Sequence, residues 1–488
     1  MFKKTFNLSK LLVFGLVLVA CSCSSNDDTP AETTTEPGTE PPVSTTDDVD
    51  FWLTMADQSV LLEKQEDIIG FTTATNDYPS IQVDPTETYQ SVDGFGFSLT
   101  GGSAQVINAL NDAKKAALLE ELFGNGNASI GINYLRISVG ASDLNEAPFT
   151  YDEVPEGETD LDLSEFSLEK DQGVISLLQE ILAINPEIKI MATPWTAPIW
   201  MKNNNSYIGG YLQPQYYQVY AEYWVKYLQG MQENGITIDA LTPQNEPLHD
   251  GNNPSMYMSE TDQISFIKNN LGPALETANL ETKIVVYDHN CDNPNYPITV
   301  MQDAEANSFI DGSAFHLYAG DIRALSTVHN AFPEKNIYFT EQYTASTDDF
   351  AGALNWHLKN VIIGSMRNWS KNALQWNLAN NENYGPHTEG GCTVCQGALT
   401  IANGESISRN VGYYIIGHAS KFIPDGSLRI ASNITDDLQN AAFLTPEGKK
   451  VLLVANDGNT ATTFNIQIDD TYATTSLEAG AVGTYIWE

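Results

Sequence analysis

Between residues 90 and 425 the chain alternates short apolar runs with longer segments whose apolar residues recur every three or four positions. The short runs are 92–100 (VDGFGFSLT), 132–139 (INYLRISV), 188–195 (IKIMATPW), 238–246 (IDALTPQNE), 283–290 (KIVVYDHN), 312–319 (GSAFHLYA), 337–343 (IYFTEQY) and 373–380 (ALQWNLAN). They are rich in β-branched and aromatic residues and almost uninterrupted in hydrophobicity, the pattern of parallel strands covered on both faces. Helical spacing appears over 103–123 and 216–231, around 262–278 and 351–369, and over 407–423. Eight strand–helix alternations predict an α/β fold, a (β/α)8 TIM barrel spanning 91–424. The 140–170 stretch is a long connection, and such connections in compact domains are usually functional.

Beyond 425 the texture changes to short alternating strands separated by turn residues, which predicts an antiparallel β-sandwich side domain over 425–488. The segments IIGFTTATN and SIQVDPTETYQ are strand-like too, so 51–90 is expected to lend strands to that domain. Residues 1–20 carry Lys3, Lys4 and Lys10, then the apolar run Leu11–Ala20, an export-signal pattern too short to span a membrane as a mature helix. The ending Leu18-Val19-Ala20-Cys21 resembles the lipobox of bacterial lipoproteins, which implies a lipid on Cys21 and an outer-membrane, cell-surface or periplasmic location. Ordinary secretion with an incidental Cys is the other reading. Residues 21–50 are mostly Ser, Thr, Pro, Asp and Glu, too polar to offset ordering entropy, and are expected to form a disordered tether.

Charge narrows the partners. With 23 Lys+Arg against 63 Asp+Glu the net charge is −40, which argues against nucleic acid and other polyanions and favours a neutral substrate. The same sign is explained by colloidal solubility alone. The pair Cys392 and Cys395 supplies two ligands where structural zinc wants four, so a local disulfide or two free thiols are the open readings.

In a barrel of this kind the chemistry sits at the C-terminal strand ends. There the sequence places Arg136 and Asp143, Trp195, Asn245 and Glu246, His316 and Tyr318, Glu341, and Trp376. Glu246 and Glu341 each follow an apolar strand, where a lone buried carboxylate is costly. On strands four and seven they would face one pocket, and two carboxylates are what glycosidic cleavage requires: one protonates the leaving oxygen, the other attacks or stabilises the cationic centre. Two unrelated, salt-bridged glutamates would give the same pattern. Asn245 is placed to donate to a sugar 2-hydroxyl, Arg136 to keep a carboxylate ionised, and Trp195, Trp200, Trp376, Tyr318 and Tyr343 to offer flat faces to sugar rings. His316 reads equally as a substrate contact or a satisfied core histidine.

The motifs VDGFGFSLTGGSA, LRISVGASD, ATPWTAPIWMK, TPQNEP, FHLY, YFTEQ, QWNLA and GHASKFIPDGSLRI together resemble glycoside hydrolase family 30, across roughly residues 75–488. The resemblance implies a retaining β-glycosidase with Glu246 as acid/base and Glu341 as nucleophile. It places Arg136, Asp143, Trp195, Asn245, His316, Tyr318 and Trp376 around the sugar to be cleaved, with no metal and no cofactor. Thr340-Glu341-Gln342 and the loop GCTVCQG are similar to the β-1,6-glucanase branch, so an endo-β-1,6-glucanase acting on β-glucan as a monomer is expected. Glucosylceramidase or β-glucosidase is the alternative within the family. A non-catalytic glycan-binding surface lipoprotein is the rival outside it, disfavoured because both glutamates are present.

Overall fold

The computed structural model describes residues 48–66 and 69–488. The expected leader, the lipidated Cys21 and the tether up to residue 47 lie outside the described residues.

Eight parallel strands form the central sheet: β1 (Gly94–Leu99), β2 (Tyr134–Ser138), β3 (Lys189–Thr193), β4 (Ala240–Leu241), β5 (Lys283–Cys291), β6 (Ile310–Gly320), β7 (Asn336–Glu341) and β8 (Asn372–Asn377). Neighbours in sequence pair from β1 through β7, and β8 pairs β1. The ring is completed between β7 and β8. The Lys371 amide donates to the Ile337 carbonyl at 2.8 Å, the Trp376 amide to Gln342 at 3.0 Å, and the Phe339 amide to the Asn372 side chain at 2.9 Å. Buried Tyr134, Met191, Ala240, Val285, Ala314, Tyr338 and Leu374, one from each strand from β2 to β8, pack into a layer inside the barrel. A much larger apolar shell joins the outer strand faces to the helices.

Several helices differ from the sequence expectation. The 103–123 segment is two helices, Gly101–Asn108 and Asp112–Phe123, because Asn111 caps the second by accepting the Lys114 amide. The 262–278 and 351–369 segments each contain a wider π-type turn, Ile267–Leu271 and Leu358–Ile363. The start of the 407–423 segment is a strand, Ser406–Arg409, and the helix begins at Val411. A further helix, Gln172–Ile184, follows the long connection.

The side domain has its own apolar core, which includes Val49, Phe51, Ile81, Ile430, Phe464 and Tyr485. Asp48–Thr54 pairs antiparallel with the C-terminal strand Val482–Trp487, and Ser80–Ser91 lies between Leu428–Ser432 and Thr462–Ile468. N-terminal strands are thus built into the C-terminal sheet. Two expectations need correction. The first strand starts at Asp48, inside the expected 21–50 tether, because buried Val49 and Phe51 anchor it. The sheet is not wholly antiparallel, since Ser80–Gln82 runs parallel to Asn465–Gln467. Thr471–Leu477 is an additional strand; its Thr- and Ser-rich sequence gave a weak apolar signal.

Candidate active site

Two residues beyond the buried apolar layer, the inward positions turn polar. Arg136 follows Tyr134, Thr193 follows Met191, Thr242 follows Ala240, His316 follows Ala314 and Thr340 follows Tyr338. The period of two is the ordinary alternation of a strand. β5 breaks it. Tyr287 and Asp288 have φ of 77° and 59°, and the register against β6 slips between Ala314 and Phe315. This bulge sends the Tyr287 ring into the outer core and brings the Asp288 carboxylate into the barrel.

Asp288, fully buried, accepts from Arg136 at 2.9 Å, Thr242 at 2.8 Å and Thr340 at 2.6 Å, and meets His316 Nε2 at 3.0 Å. Arg136 also donates to Glu341 at 2.6 Å and to Asn245 Oδ1 at 2.6 Å. With its oxygen so engaged, Asn245 retains its amide N–H groups as donors. Tyr318 donates its hydroxyl to the other Glu341 oxygen at 2.9 Å, and His316 Nδ1 lies 3.2 Å from Glu246 Oε1. Ligand-type atoms of Glu246, His316 and Glu341 all lie within 4.8 Å of one another, so the two carboxylates face a single gap.

Glu246 reaches that gap from a loop and not from a strand, which corrects the strand expected over 238–246; β4 ends at Leu241. The amides of Thr242, Asn245 and Glu246 donate to the carbonyls of Ala192, Pro194 and Asp288 at 3.0, 2.9 and 3.0 Å, which pins the loop to its neighbours on both sides. Glu246 itself has φ 43°, a left-handed conformation that is uncommon outside Gly, Asn and Asp and is held here by these bonds.

The network sets the charges. Burial opposes ionisation of Asp288, but the Arg136 charge and the His316 hydrogen bond outweigh it and hold the carboxyl far below its ordinary range. Burial would depress the His316 imidazolium, yet the Glu341 charge and the bonds to Asp288 and Glu246 push its pKa up to about 9. Burial raises the Glu341 carboxyl against the pull of His316 and Arg136. Burial acts on Glu246 too, but the His316 hydrogen bond and charge hold it below its ordinary value. His316 and Glu246 thus form a hydrogen-bonded acid–base pair across which one proton can pass.

Trp195 and Trp376 stack with centroids 5.2 Å apart and an interplanar angle of 27°, and the Arg136 guanidinium sits 5.0 and 5.7 Å from their rings. Tyr318 and Tyr343 meet at 5.4 Å. Trp200 does not join them. Its indole N–H donates to Asp152 and its ring packs edge-on against Tyr216, so it belongs to the core behind the site. Asp143 is reached through the segment beyond β8: the Cys392 amide donates to its carboxylate at 3.3 Å and the Thr388 amide to its carbonyl at 2.8 Å. Cys392 and Cys395 form a disulfide, and Cys395 packs with Trp195, Trp376 and Leu144. Burial and the Glu341 charge push the Asp143 carboxyl up to about 7.

Of the eleven residues singled out from the sequence, all but Trp200 thus gather at one end of the barrel. Asp288 was missed, and Thr340 stands out in the sequence only through the motif Thr340-Glu341-Gln342. The visible signal was Asp-His at the end of an apolar strand, but strict alternation puts Tyr287 inward and hides Asp288.

Residues 92–423 match the glycosyl hydrolase family 30 TIM-barrel domain, and residues 426–485 match the beta sandwich domain of the same family. The chain belongs to glycosyl hydrolase family 30. It is a glycosidase, and the family accounts for both the barrel and the side domain. An endo-1,6-beta-D-glucanase of Aspergillus fumigatus is 34% identical over 421 residues, covering 80% of this chain and 82% of the relative. The mouse lysosomal acid glucosylceramidase is 29% identical, covering 83% of each chain. A solved endo-beta-1,6-glucanase superposes with a TM-score of 0.83 at 33% identity, covering 90% of this chain and 99% of that one.

Proposed function

We propose that this family 30 enzyme hydrolyses β-1,6-linked glucan internally, by double displacement, with Glu341 as nucleophile and Glu246 as acid/base. The observation that carries the mechanism is the gap of at most 4.8 Å between carboxylate oxygens of Glu246 and Glu341. Retaining glycosidases hold their carboxyl groups about 5–5.5 Å apart, whereas inverting ones leave about 6.5–9.5 Å for a water.

Arg136 and Tyr318 each donate to one Glu341 oxygen, fixing the carboxylate for attack on the anomeric carbon. As the carbon–oxygen bond forms, Glu341 loses the charge that most raises His316. The proton shared by His316 and Glu246 then passes through Glu246 to the leaving oxygen as the glycosidic bond breaks. In the second step Glu246 takes a proton from water, the hydroxyl attacks the anomeric carbon, and Glu341 leaves as carboxylate with configuration retained. Asn245 and Arg136 hold one another beside the gap, where the Asn245 amide meets the sugar 2-hydroxyl.

The linkage rests on the glucanase relatives, which at 33–34% identity stand nearer than the glucosylceramidase at 29%. Purified protein is to be incubated with pustulan, glucosylceramide and aryl β-glucosides. Oligosaccharides released from pustulan are expected; turnover of the lipid or the aryl glucoside alone would overturn the linkage while leaving the mechanism standing. The basic end, the short apolar run and Leu18-Val19-Ala20-Cys21 support a lipid anchor on Cys21 and a location at the cell surface, the outer membrane or the periplasm. Cys21→Ala should move the enzyme from membrane to soluble fractions, where sedimentation should find a monomer.

A further inference from the structure

His289 lies beside Glu246 and has no part in the cycle above. It is buried, with 8% of its surface exposed, and its Nε2 lies 4.0 Å from Glu246 Oε1, the oxygen that also meets His316 at 3.2 Å. A separation of 4.0 Å is too long for a direct hydrogen bond. It is the right separation for one oxygen atom held about 2.8 Å from both groups. Two histidines therefore flank the acid/base oxygen in different ways: one bonds it, and the other stands one atom away.

The protonation of His289 follows from its surroundings. The groups around it are Glu246, His316, His249, Asp292 and Tyr287. Burial outweighs the Glu246 charge and lowers its pKa to about 4, so the ring is neutral near pH 7. Its Nδ1 is buried without a hydrogen-bond partner among the described residues. A buried N–H with no acceptor is costly, so the favoured tautomer leaves Nδ1 bare and puts the proton on Nε2. That N–H stands 4.0 Å from Oε1 of the Glu246 carboxyl group.

We propose that His289 is a further catalytic residue on the leaving-group side of the gap, its Nε2–H donating to the same oxygen atom that Glu246 protonates or deprotonates. In the first step that atom is the departing sugar hydroxyl, and His289 stabilises the negative charge growing on it as the glycosidic bond breaks. In the second it is the attacking water, which gives its proton to Glu246 while still accepting from His289. His289 is neutral throughout and transfers no proton. The inference rests on Glu246 being the acid/base.

The test varies the leaving group. His289→Ala should lose on the order of 10²-fold in kcat/KM on β-1,6-glucan, as loss of one donor to a developing oxyanion does. On 2,4-dinitrophenyl β-gentiobioside, whose leaving group needs no protonation, the loss should fall to within about threefold. His289→Gln, which can place an N–H where Nε2 stood, should recover part of the glucan activity, and His289→Asn should not. If the alanine variant does not fold, the Gln and Asn pair carries the same comparison. Equal losses on both substrates, or none on glucan, would overturn the inference. Glu246→Ala with added azide separates the two claims on the dinitrophenyl substrate. Failure to form the β-glycosyl azide would sink the role of Glu246, whereas its formation without leaving-group dependence in the His289 variants would sink this inference alone.

Discussion

Arg136 Nη1 lies 2.6 Å from Glu341 Oε2, and Arg136 Nη2 lies within 2.6 Å of Asn245 and 2.9 Å of Asp288. One guanidinium thus ties the ends of β4, β5 and β7 together from β2. Lysine has neither the fork nor the planarity to do this. Arg136→Lys should therefore lose on the order of 10²-fold in kcat/KM, and Arg136→Ala should also destabilise the fold by roughly 3–5 kcal/mol, because Asp288 stays charged without its partner. Activity assays with thermal unfolding check both; wild-type activity in the lysine variant would refute the bridging role.

Glu341→Gln keeps the volume and one acceptor but removes the nucleophile. Turnover should fall by at least about 10⁴-fold with the melting temperature preserved or raised, since a buried carboxylate whose ionisation burial opposes has been made neutral. Retention of near wild-type turnover would exclude the role.

Three buried groups of the site make stability depend on pH in opposite directions. His316, pushed up to about 9, confers stability that is complete below its unfolded value near 6.5 and lost as pH rises through 9, about 3 kcal/mol in all. Asp143, pushed up to about 7, destabilises the fold progressively from about pH 4 to 7 as it is made to ionise. Asp288, held far below its range, contributes stability present above about pH 4 and lost on acidification. Asp143→Asn should therefore remove its share of any fall in melting temperature from about pH 4 to 7 and leave the His316 share above 6.5 in place. An Asp143→Asn variant whose melting temperature follows the wild-type pH profile throughout would contradict the assignment.

The disulfide presents the Cys392 amide to Asp143 and packs Cys395 on the two tryptophans. Closing so short a loop stabilises by about 2 kcal/mol in the chain-entropy picture, so Cys392→Ser with Cys395→Ser should lower the melting temperature only modestly. The loss of kcat/KM should be several-fold and should shrink in an Asp143→Asn background, where the amide no longer meets a carboxylate. Strictly additive losses would separate the loop from Asp143.

Alternating strand and helix patterns suffice to predict the barrel, because parallel strands covered on both faces must be apolar almost throughout. The same rule makes a polar residue at a strand end conspicuous, which is why Arg136, His316, Glu341 and Trp376 are legible without coordinates. Local patterning is silent where the backbone leaves the regular period. The left-handed pair at Tyr287 and Asp288 places the central anion of the site, and nothing in strand alternation announces a bulge.

By itself the sequence determined the barrel, the side domain and the two glutamates, because burial and periodicity are written residue by residue. Only the tertiary structure decided how those groups divide charge. Burial and partners more than a hundred residues apart, Arg136 with Glu341 and Asp288, and nearly thirty and seventy apart, His316 with Asp288 and Glu246, set the protonation that chemistry needs. Electrostatic energy depends on distance in space, and chain order does not encode it.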